Sequence, residues 1–140
     1  MKKSKYDIEN ELLPHYESHL KYYSPIKSDE YLDHVKNVTG LAINDSHKIL
    51  DLGCGDGELT RYIGGAQYIG VDYSSKRIDL ARNLHNKTNV NFINECARNY
   101  ITSTDKQFDL IFAFEFLEHI VKPRELIDCV MKNQKNVTMI

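Results

Sequence analysis

The feature that most constrains this chain is a glycine-rich stretch, KILDLGCGDGELTRYI, at residues 48–63. An apolar run leads into three glycines at alternate positions, Gly53, Gly55 and Gly57, and a helix-like run follows them. Glycine reaches backbone angles that other residues avoid, and it places no Cβ in the way of a bound molecule. The stretch therefore predicts a strand, a tight turn and a helix that together form a cradle for a ligand.

Beyond this stretch, short apolar runs alternate with helix-like segments to the end of the chain. Strands are predicted at 48–52, 66–72, 89–95, 107–114 and 136–140. Helices are predicted at 58–63, at 74–87 and from Pro123, and residues 97–103 are predicted as a short helix or a turn. Such alternation is typical of parallel strands joined by right-handed crossovers. We therefore predict a Rossmann-like, doubly wound α/β sheet whose ligands bind beyond the carboxyl ends of the strands.

The first part of the chain has a different pattern. Residues 6–45 are predicted to form helices without strands, with Pro14 at a kink or a helix start and Ser28 as the N-cap of the last helix. We therefore divide the chain into an N-terminal helical segment, residues 1–45, and an α/β core, residues 46–140.

Composition sets limits on the class of protein. The chain has 140 residues, which suits one domain, and its net charge of -2 creates no basic field. Charge therefore does not indicate nucleic acid as a partner, although a local basic patch would escape this argument. Three scattered cysteines fit a reduced, cytoplasmic protein better than a disulfide framework. The longest apolar run, residues 110–114, is too short to span a bilayer, so no membrane partner is expected.

Acidic residues around the glycines narrow the choice of ligand. Asp51, Asp56 and Glu58 flank or interrupt the loop, and three carboxylates disfavour a pyrophosphate. The GxGxG spacing also differs from the GxGxxG of dinucleotide sites. Asp72 ends the second predicted strand, 21 positions after Asp51, where it can accept hydrogen bonds from both hydroxyls of a ribose. We expect a ligand with a ribose, a positive charge and no phosphate, and S-adenosylmethionine (SAM) has these features.

The chain carries four sequence blocks that, in this order, resemble the class I SAM-dependent methyltransferase family. The blocks are ILDLGCGDGELT, YIGVDYS, VNFINECA and FDLIFAFEFLEH, within residues 48–119. The resemblance implies an enzyme that transfers a methyl group from SAM to oxygen or nitrogen of a small-molecule acceptor. Two alternatives stay open: an RNA acceptor, and a SAM-binding domain with a regulatory or structural role and no turnover of its own.

The same resemblance assigns roles to residues near the loop. The three glycines line the methionine part of SAM, and Asp51 supports the loop and its contacts to the amino group. Asp72 holds the ribose hydroxyls. Cys54, inside the loop, is interpreted as a small residue that fills space beneath the ligand.

Adenine is expected at the ends of the second and third predicted strands. Tyr73 would pack beside it. The family usually has an aspartate where this chain has Cys96, whose thiol is a weak hydrogen-bond partner. Glu95, or the backbone of Cys96 and Ala97, would then contact adenine instead. Phe114, at the end of the fourth predicted strand, completes the predicted cofactor site.

The segment EFLEH, residues 115–119, carries the candidate catalytic residues, Glu115, Glu118 and His119. On a helix these residues would lie at i, i+3 and i+4 and hence on one face. Two carboxylates and an imidazole on one face could bind Mg²⁺ or Zn²⁺. The arrangement resembles that of ubiquinone-biosynthesis O-methyltransferases, and of RNA 3′-terminal 2′-O-methyltransferases, where it helps to hold a metal. In the alternative interpretation, His119 or Glu118 borders the acceptor pocket or caps the helix without a metal.

Two further expectations concern the two ends of the chain. Tyrosines are frequent in the N-terminal helices, which in this family often cover the SAM pocket, so we predict a lid with tyrosine hydroxyls at the ligand. The alternative is that they pack against the sheet; these tyrosines are Tyr16, Tyr22, Tyr23 and Tyr31. The family's sheet has two strands after the fifth, whereas this chain stops within its fifth. We therefore expect a fragment, or a subunit whose sheet another chain completes.

Overall fold

The computed structural model describes Glu30, Asp33, Lys36, Asn37 and residues 40–140. The four separate residues are helical, within the last of the predicted N-terminal helices. The backbone N–H of Gly40 donates to the Lys36 carbonyl over 2.9 Å. The earlier predicted helices, and the tyrosines of the predicted lid, lie outside the described residues.

Within residues 40–140, five short strands form one sheet with helices between them. In chain order the elements are β1 (Lys48–Leu52), a first 3-10 turn (Glu58–Arg61), β2 (Gln67–Asp72), α1 (Ser75–Leu84), β3 (Val90–Asn94), α2 (Ala97–Ser103), β4 (Leu110–Phe112), a second 3-10 turn (Leu117–His119), α3 (Pro123–Asn133) and β5 (Thr138–Met139). All strands pair in parallel, in the order β3-β2-β1-β4-β5. The direction of strand addition reverses between β1 and β4, which confirms the predicted doubly wound sheet.

The sheet separates two apolar clusters. Side chains alternate across a strand, so Ile49 of β1 belongs to the cluster on one face and Leu50 to the cluster on the other. The first cluster joins the sheet to α1 through Ile78, and the second joins it to α2 and α3 through Ile101 and Leu126. In the described part of the chain, no helix has the length and apolar character needed to cross a membrane.

Several elements differ from the sequence prediction; α1 ends at Leu84 rather than at residue 87, and β5 spans only Thr138–Met139. The segment after the glycine loop forms a 3-10 turn rather than an α-helix, because the Thr60 N–H donates to the Gly57 carbonyl three residues back, over 3.0 Å. β4 begins later than predicted, because the Phe108 N–H donates to the side chain of buried Gln134, over 3.0 Å. The segment that could have been a helix or a turn forms helix α2.

Candidate functional site

The glycine loop folds over the end of β2. The backbone N–H groups of Gly53 and Cys54 both donate to the Val71 carbonyl, over 2.8 and 3.1 Å. The Gly57 N–H then donates to the Cys54 carbonyl over 2.9 Å and closes the turn. All three loop glycines have a positive φ, between 55° and 84°. The loop is thus anchored on β2, the strand that carries Asp72.

Aromatic rings of the protein lie close to two of the loop glycines. A Cβ at Gly53 would stand 2.3 Å from Cδ2 of Phe116, and one at Gly57 would stand 2.6 Å from Cζ of Phe92. Both distances are shorter than any ordinary carbon–carbon contact. At Gly55, a Cβ would stand 3.3 Å from Nη1 of Arg77 in α1. Glycines are therefore needed in this loop partly because aromatic rings of the protein occupy the space that their side chains would fill.

Asp72 connects the loop to the start of α1. Its Oδ2 accepts a hydrogen bond from the Gly55 N–H over 2.9 Å, and its Oδ1 accepts one from the Ser74 N–H over 2.8 Å. Burial raises the pKa of Asp72, while these two N–H groups and the charge of Arg77 lower it. A carboxylate oxygen can accept more than one hydrogen bond, so both oxygens keep capacity for ribose hydroxyls.

Asp51 lies buried at the end of β1, next to the loop. It is 5% exposed, and its Oδ2 accepts a hydrogen bond from the Tyr68 hydroxyl over 2.7 Å. Burial raises the pKa of Asp51 from an ordinary value of 3.8 to about 7, while the Tyr68 hydrogen bond lowers it and Asp72 raises it. Tyr68 was not among the residues predicted from the sequence. A signal was present in Gly70, because a glycine inside a strand often marks the close approach of another group.

The ends of β2 and β3 bring the expected adenine-binding residues to the same edge. The Glu95 N–H donates to the Asp72 carbonyl over 3.1 Å. The side-chain amide of Asn94 donates to the carbonyls of Asp72 and Tyr73, over 3.0 and 2.9 Å. Cys96 is the N-cap of α2, and its side chain makes no capping hydrogen bond. Asn94, which the sequence pattern did not single out, therefore ties the two strand ends together.

The helical face predicted at residues 115–119 is wrong. Glu115 has a positive φ of 44°, and a 3-10 turn spans Leu117–His119. A left-handed residue interrupts α-helical geometry, so Glu115, Glu118 and His119 do not lie at successive positions of one α-helix. The α-helix begins instead at Pro123, a residue type suited to the first helical position.

The same three residues do not assemble a metal centre. Oε1 of Glu118 and Nε2 of His119 stand 3.9 Å apart, and both side chains are about half exposed. Among the residues that the structure describes, no three His, Cys, Asp or Glu side chains are grouped so that they could hold a metal. The predicted Mg²⁺ or Zn²⁺ site at Glu115, Glu118 and His119 is therefore not supported.

Two phenylalanines flank Glu115 and connect β4 to the glycine loop. The ring centroids of Phe114 and Phe112 lie 5.1 Å apart, and Phe114 packs on the apolar cluster that contains α1. Phe116 lies against Gly53. This contact was not predicted, because a helix at these positions would have directed Phe116 differently. The segment after β4 thus meets the glycine loop through aromatic rings.

A cavity of about 340 Å³ lies at the opposite edge, where β1, β2 and β3 begin. Its lining includes several amide and lysine side chains, namely Lys48, Gln67, Asn89, Asn91, Lys106 and Gln107. In a doubly wound sheet, ligands bind at the carboxyl ends of the strands. The loop glycines, Asp51 and Asp72 all lie at that end, so the candidate site is the glycine edge and not this cavity.

The chain is similar to known proteins over most of its length. Residues 16–136 match a family described as a methyltransferase domain. The ubiquinone biosynthesis O-methyltransferase of Erwinia tasmaniensis is 26% identical over 131 residues, which cover 91% of this chain and 49% of that protein. The protein of the same name from Coxiella burnetii is 38% identical over 82 residues, which cover 56% of this chain and 35% of the relative. The chain thus spans about half the length, or less, of these relatives.

Solved structures with the same fold include enzymes of two kinds. The plantazolicin methyltransferase BpumL, in complex with a monoazolic desmethylPZN analog and SAH (S-adenosylhomocysteine), is 25% identical with a TM-score of 0.62, covering 78% of this chain and 42% of that one. The [4+2]-cyclase SpnF is 23% identical with a TM-score of 0.64, covering 76% of this chain and 41% of that one. The second likeness concerns the fold alone, because one fold can carry different reactions.

Proposed function

Since this chain belongs to the methyltransferase family, we propose that it binds SAM and transfers the methyl group to oxygen or nitrogen of a small-molecule acceptor. Two similar proteins are named O-methyltransferases, and a similar methyltransferase structure holds SAH. The observation that supports the proposal best is the position of Asp72. Its carboxylate holds the glycine loop at the end of β2, where the ribose of the cofactor is expected.

The residues at the glycine edge suit SAM in shape and charge. Asp72 lies near enough to Asp51, and Asp56 near enough to Asp72, for their charges to interact, and negative charge here favours the positively charged methionine end. We propose that the loop glycines face this end and that Asp72 faces the ribose. The proposed adenine-side residues are Tyr73, Glu95, Cys96 and Ala97, and Cys54 fills space beneath the loop.

The acceptor is proposed to bind beside the segment that follows β4. When bound, SAM supplies a methyl group on a positively charged sulfur. Transfer requires an acceptor in line with that group and little competing water, and the rings of Phe114 and Phe116 would exclude water there. Glu118 and His119 are about half exposed, and we propose that they and Glu115 border the acceptor. A carboxylate or imidazole at this position would take the proton that a hydroxyl acceptor loses.

A SAM-binding domain without turnover is the second candidate. Cys96 favours it, because a thiol replaces the carboxylate that the family usually offers to adenine. Transfer of labelled methyl groups from SAM to a panel of phenols, alcohols and amines distinguishes the two candidates. We expect product in at least one reaction, and we expect EDTA to leave its yield unchanged, because the residues that the structure describes assemble no group of donors that could hold a metal. Binding of SAM without any product would favour the second candidate.

We also propose a cytoplasmic location and a lid formed by residues 1–45. Within the described part of the chain, no disulfide links Cys54, Cys96 and Cys129, which suits a reducing compartment. The lid rests on the tyrosine-rich N-terminal sequence. Replacing these tyrosines by phenylalanine one at a time should weaken cofactor binding or turnover in at least one variant, and no change in any would reject the lid.

Replacing Asp72 by alanine should weaken SAH binding about 5- to 150-fold, as measured by calorimetric titration. The range corresponds to about 1–3 kcal/mol, the cost of leaving buried hydrogen-bonding groups without a partner. Asp79→Ala is the matched control, because Asp79 is an exposed aspartate of α1 that pairs with Arg82. Equal affinities of wild type and Asp72→Ala would contradict the proposed site, and no binding by folded wild type would contradict the proposed function.

A further inference from the structure

Tyr68 and Asp51 form a buried pair directly behind the glycine loop. Tyr68 is 2% exposed, and its ring meets Phe92 edge-on, with ring centroids 5.8 Å apart. The ring runs along β2 past Gly70, which pairs with Asp51 in the sheet. A Cβ at Gly70 would stand 2.9 Å from the Tyr68 hydroxyl oxygen and 2.8 Å from Sγ of Cys54. The missing side chain at position 70 therefore makes room for the hydrogen bond between Tyr68 and Asp51.

This hydrogen bond determines which oxygen of Asp51 is available. Oδ2 of Asp51 accepts from Tyr68, and Oδ1 accepts no hydrogen bond from any residue that the structure describes. Burial raises the pKa of Tyr68 well above its ordinary value, so its hydroxyl keeps its proton and acts as the donor. Asp51 is 5% exposed and lies beside the glycine loop, and a carboxylate oxygen that is not used by a protein donor can accept from a ligand, so Oδ1 is suited to a cationic or N–H group of a ligand.

Other charged and titratable groups surround the pair. The loop contributes Cys54 and Asp56, the end of β2 contributes Asp72, and α1 contributes Arg77 beside Asp72. On its other side, β1 pairs Asp51 with Phe112 of β4, which does not titrate. Cys54 is buried, and its pKa is raised well above the ordinary value, so it stays a neutral thiol. Tyr68 is thus the side-chain donor that, within the described residues, stabilises the charged form of Asp51.

We propose that Tyr68 is a positioning residue of the cofactor site, whose hydroxyl orients Asp51 so that Oδ1 receives the positively charged amino group of the cofactor's methionine end. This inference rests on the proposed function, because it assigns a residue to the SAM site. Tyr68 acts only through Asp51. Its loss should therefore change the affinity and also the pH at which the affinity is lost.

Calorimetric titration of SAH between about pH 6 and about pH 8.5 tests the proposal in wild type and Tyr68→Phe. We expect the variant to bind about 10-fold more weakly near pH 7, the effect of losing a hydrogen bond to a charged group. Protonation of Asp51 should weaken binding as the pH falls. Without the hydroxyl, the charged form of Asp51 is less stable, so this weakening should begin at a higher pH in the variant. Tyr100→Phe is the control, because Tyr100 is a buried tyrosine of α2 on the opposite face of the sheet.

Asp51→Asn provides a second test, which asks whether Tyr68 acts through Asp51. In that background, Tyr68→Phe should change the affinity less than about twofold, because the two residues act as a unit. Thermal unfolding identifies any variant that fails to fold. If Tyr68→Phe fails to fold, the pH dependence of SAH binding is compared between wild type and Asp51→Asn instead. Unchanged affinity and pH profile in Tyr68→Phe, or an equal loss with and without Asp51, would overturn the inference alone. No binding by wild type at any pH would overturn the proposed function together with it.

Discussion

Replacing Gly53 by alanine is expected to lower the free energy of unfolding by about 2–5 kcal/mol, the largest effect we expect from a single methyl group. Gly53 has a φ of 74°, and a left-handed conformation costs a residue with a Cβ about 1–2 kcal/mol. The added methyl group would stand 2.3 Å from the ring of Phe116, and such overpacking costs about 1–3 kcal/mol more. Urea unfolding of the two proteins measures the difference.

Gly40→Ala separates the two costs. Gly40 also has a positive φ, of 69°, but a Cβ there would have no atom of the described residues within 4 Å. We therefore expect Gly40→Ala to cost only the backbone part, about 1–2 kcal/mol. Adding Phe116→Ala to the Gly53 variant should recover stability by removing the clash. If the Gly40 and Gly53 variants lost equal stability, Phe116 would not pack against the loop as described.

The stability of the wild-type chain is expected to fall by about 4 kcal/mol as the pH rises from about 4 to about 7, through the titration of Asp51. In the folded chain Asp51 keeps its proton up to a pKa of about 7, whereas its ordinary pKa is 3.8. Between these values the folded state binds more protons than the unfolded state, so each increase in pH favours unfolding. The loss is complete above about pH 7. An aspartate held in an ion pair has the opposite effect, because its lowered pKa makes stability rise with pH.

Asp51→Asn removes this dependence while keeping a polar partner for Tyr68. The variant should match the wild type in stability near pH 4 and exceed it above pH 7, as measured by urea unfolding across the pH range. Some slope should remain in both proteins, because burial raises the pKa of Asp72 as well. Parallel curves for the two proteins would show that Asp51 titrates normally in the folded chain.

The strands and their connections could be predicted from the sequence because local patterns specify them. β1 and β2 are short apolar runs bounded by glycines or a capping serine, and the structure places both within one residue of the predicted limits. Alternation of strands and helices then restricts the sheet to a doubly wound form. The meeting of Asp51, Gly55 and Asp72 at one edge followed from this topology.

The contacts that no local pattern specifies could not be predicted. The Tyr68–Asp51 hydrogen bond joins residues on two different strands. It depends on the register between β1 and β2, which local sequence patterns do not specify. The turn at Glu115 was not predicted because the sequence EFLEH is compatible with a helix. A left-handed backbone conformation, which Glu115 adopts, is uncommon for residues other than glycine. The predicted metal site is not supported for this reason, because the prediction depended on an α-helical face that residues 115–119 do not form.

The position of β1 between β2 and β4 affects the order in which the sheet is expected to fold. β1, β2 and β3 are consecutive in the chain, and Leu50 pairs with Ile69, 19 positions later, whereas its β4 partner, Ile111, comes 61 positions later. Closing the longer loop costs more entropy, so we expect the glycine half to assemble first; Val71→Ala should then slow folding more than Ile111→Val. During synthesis on a ribosome, the glycine loop and β2 would therefore fold before the segment that contains Phe116, which packs against Gly53, leaves the ribosome.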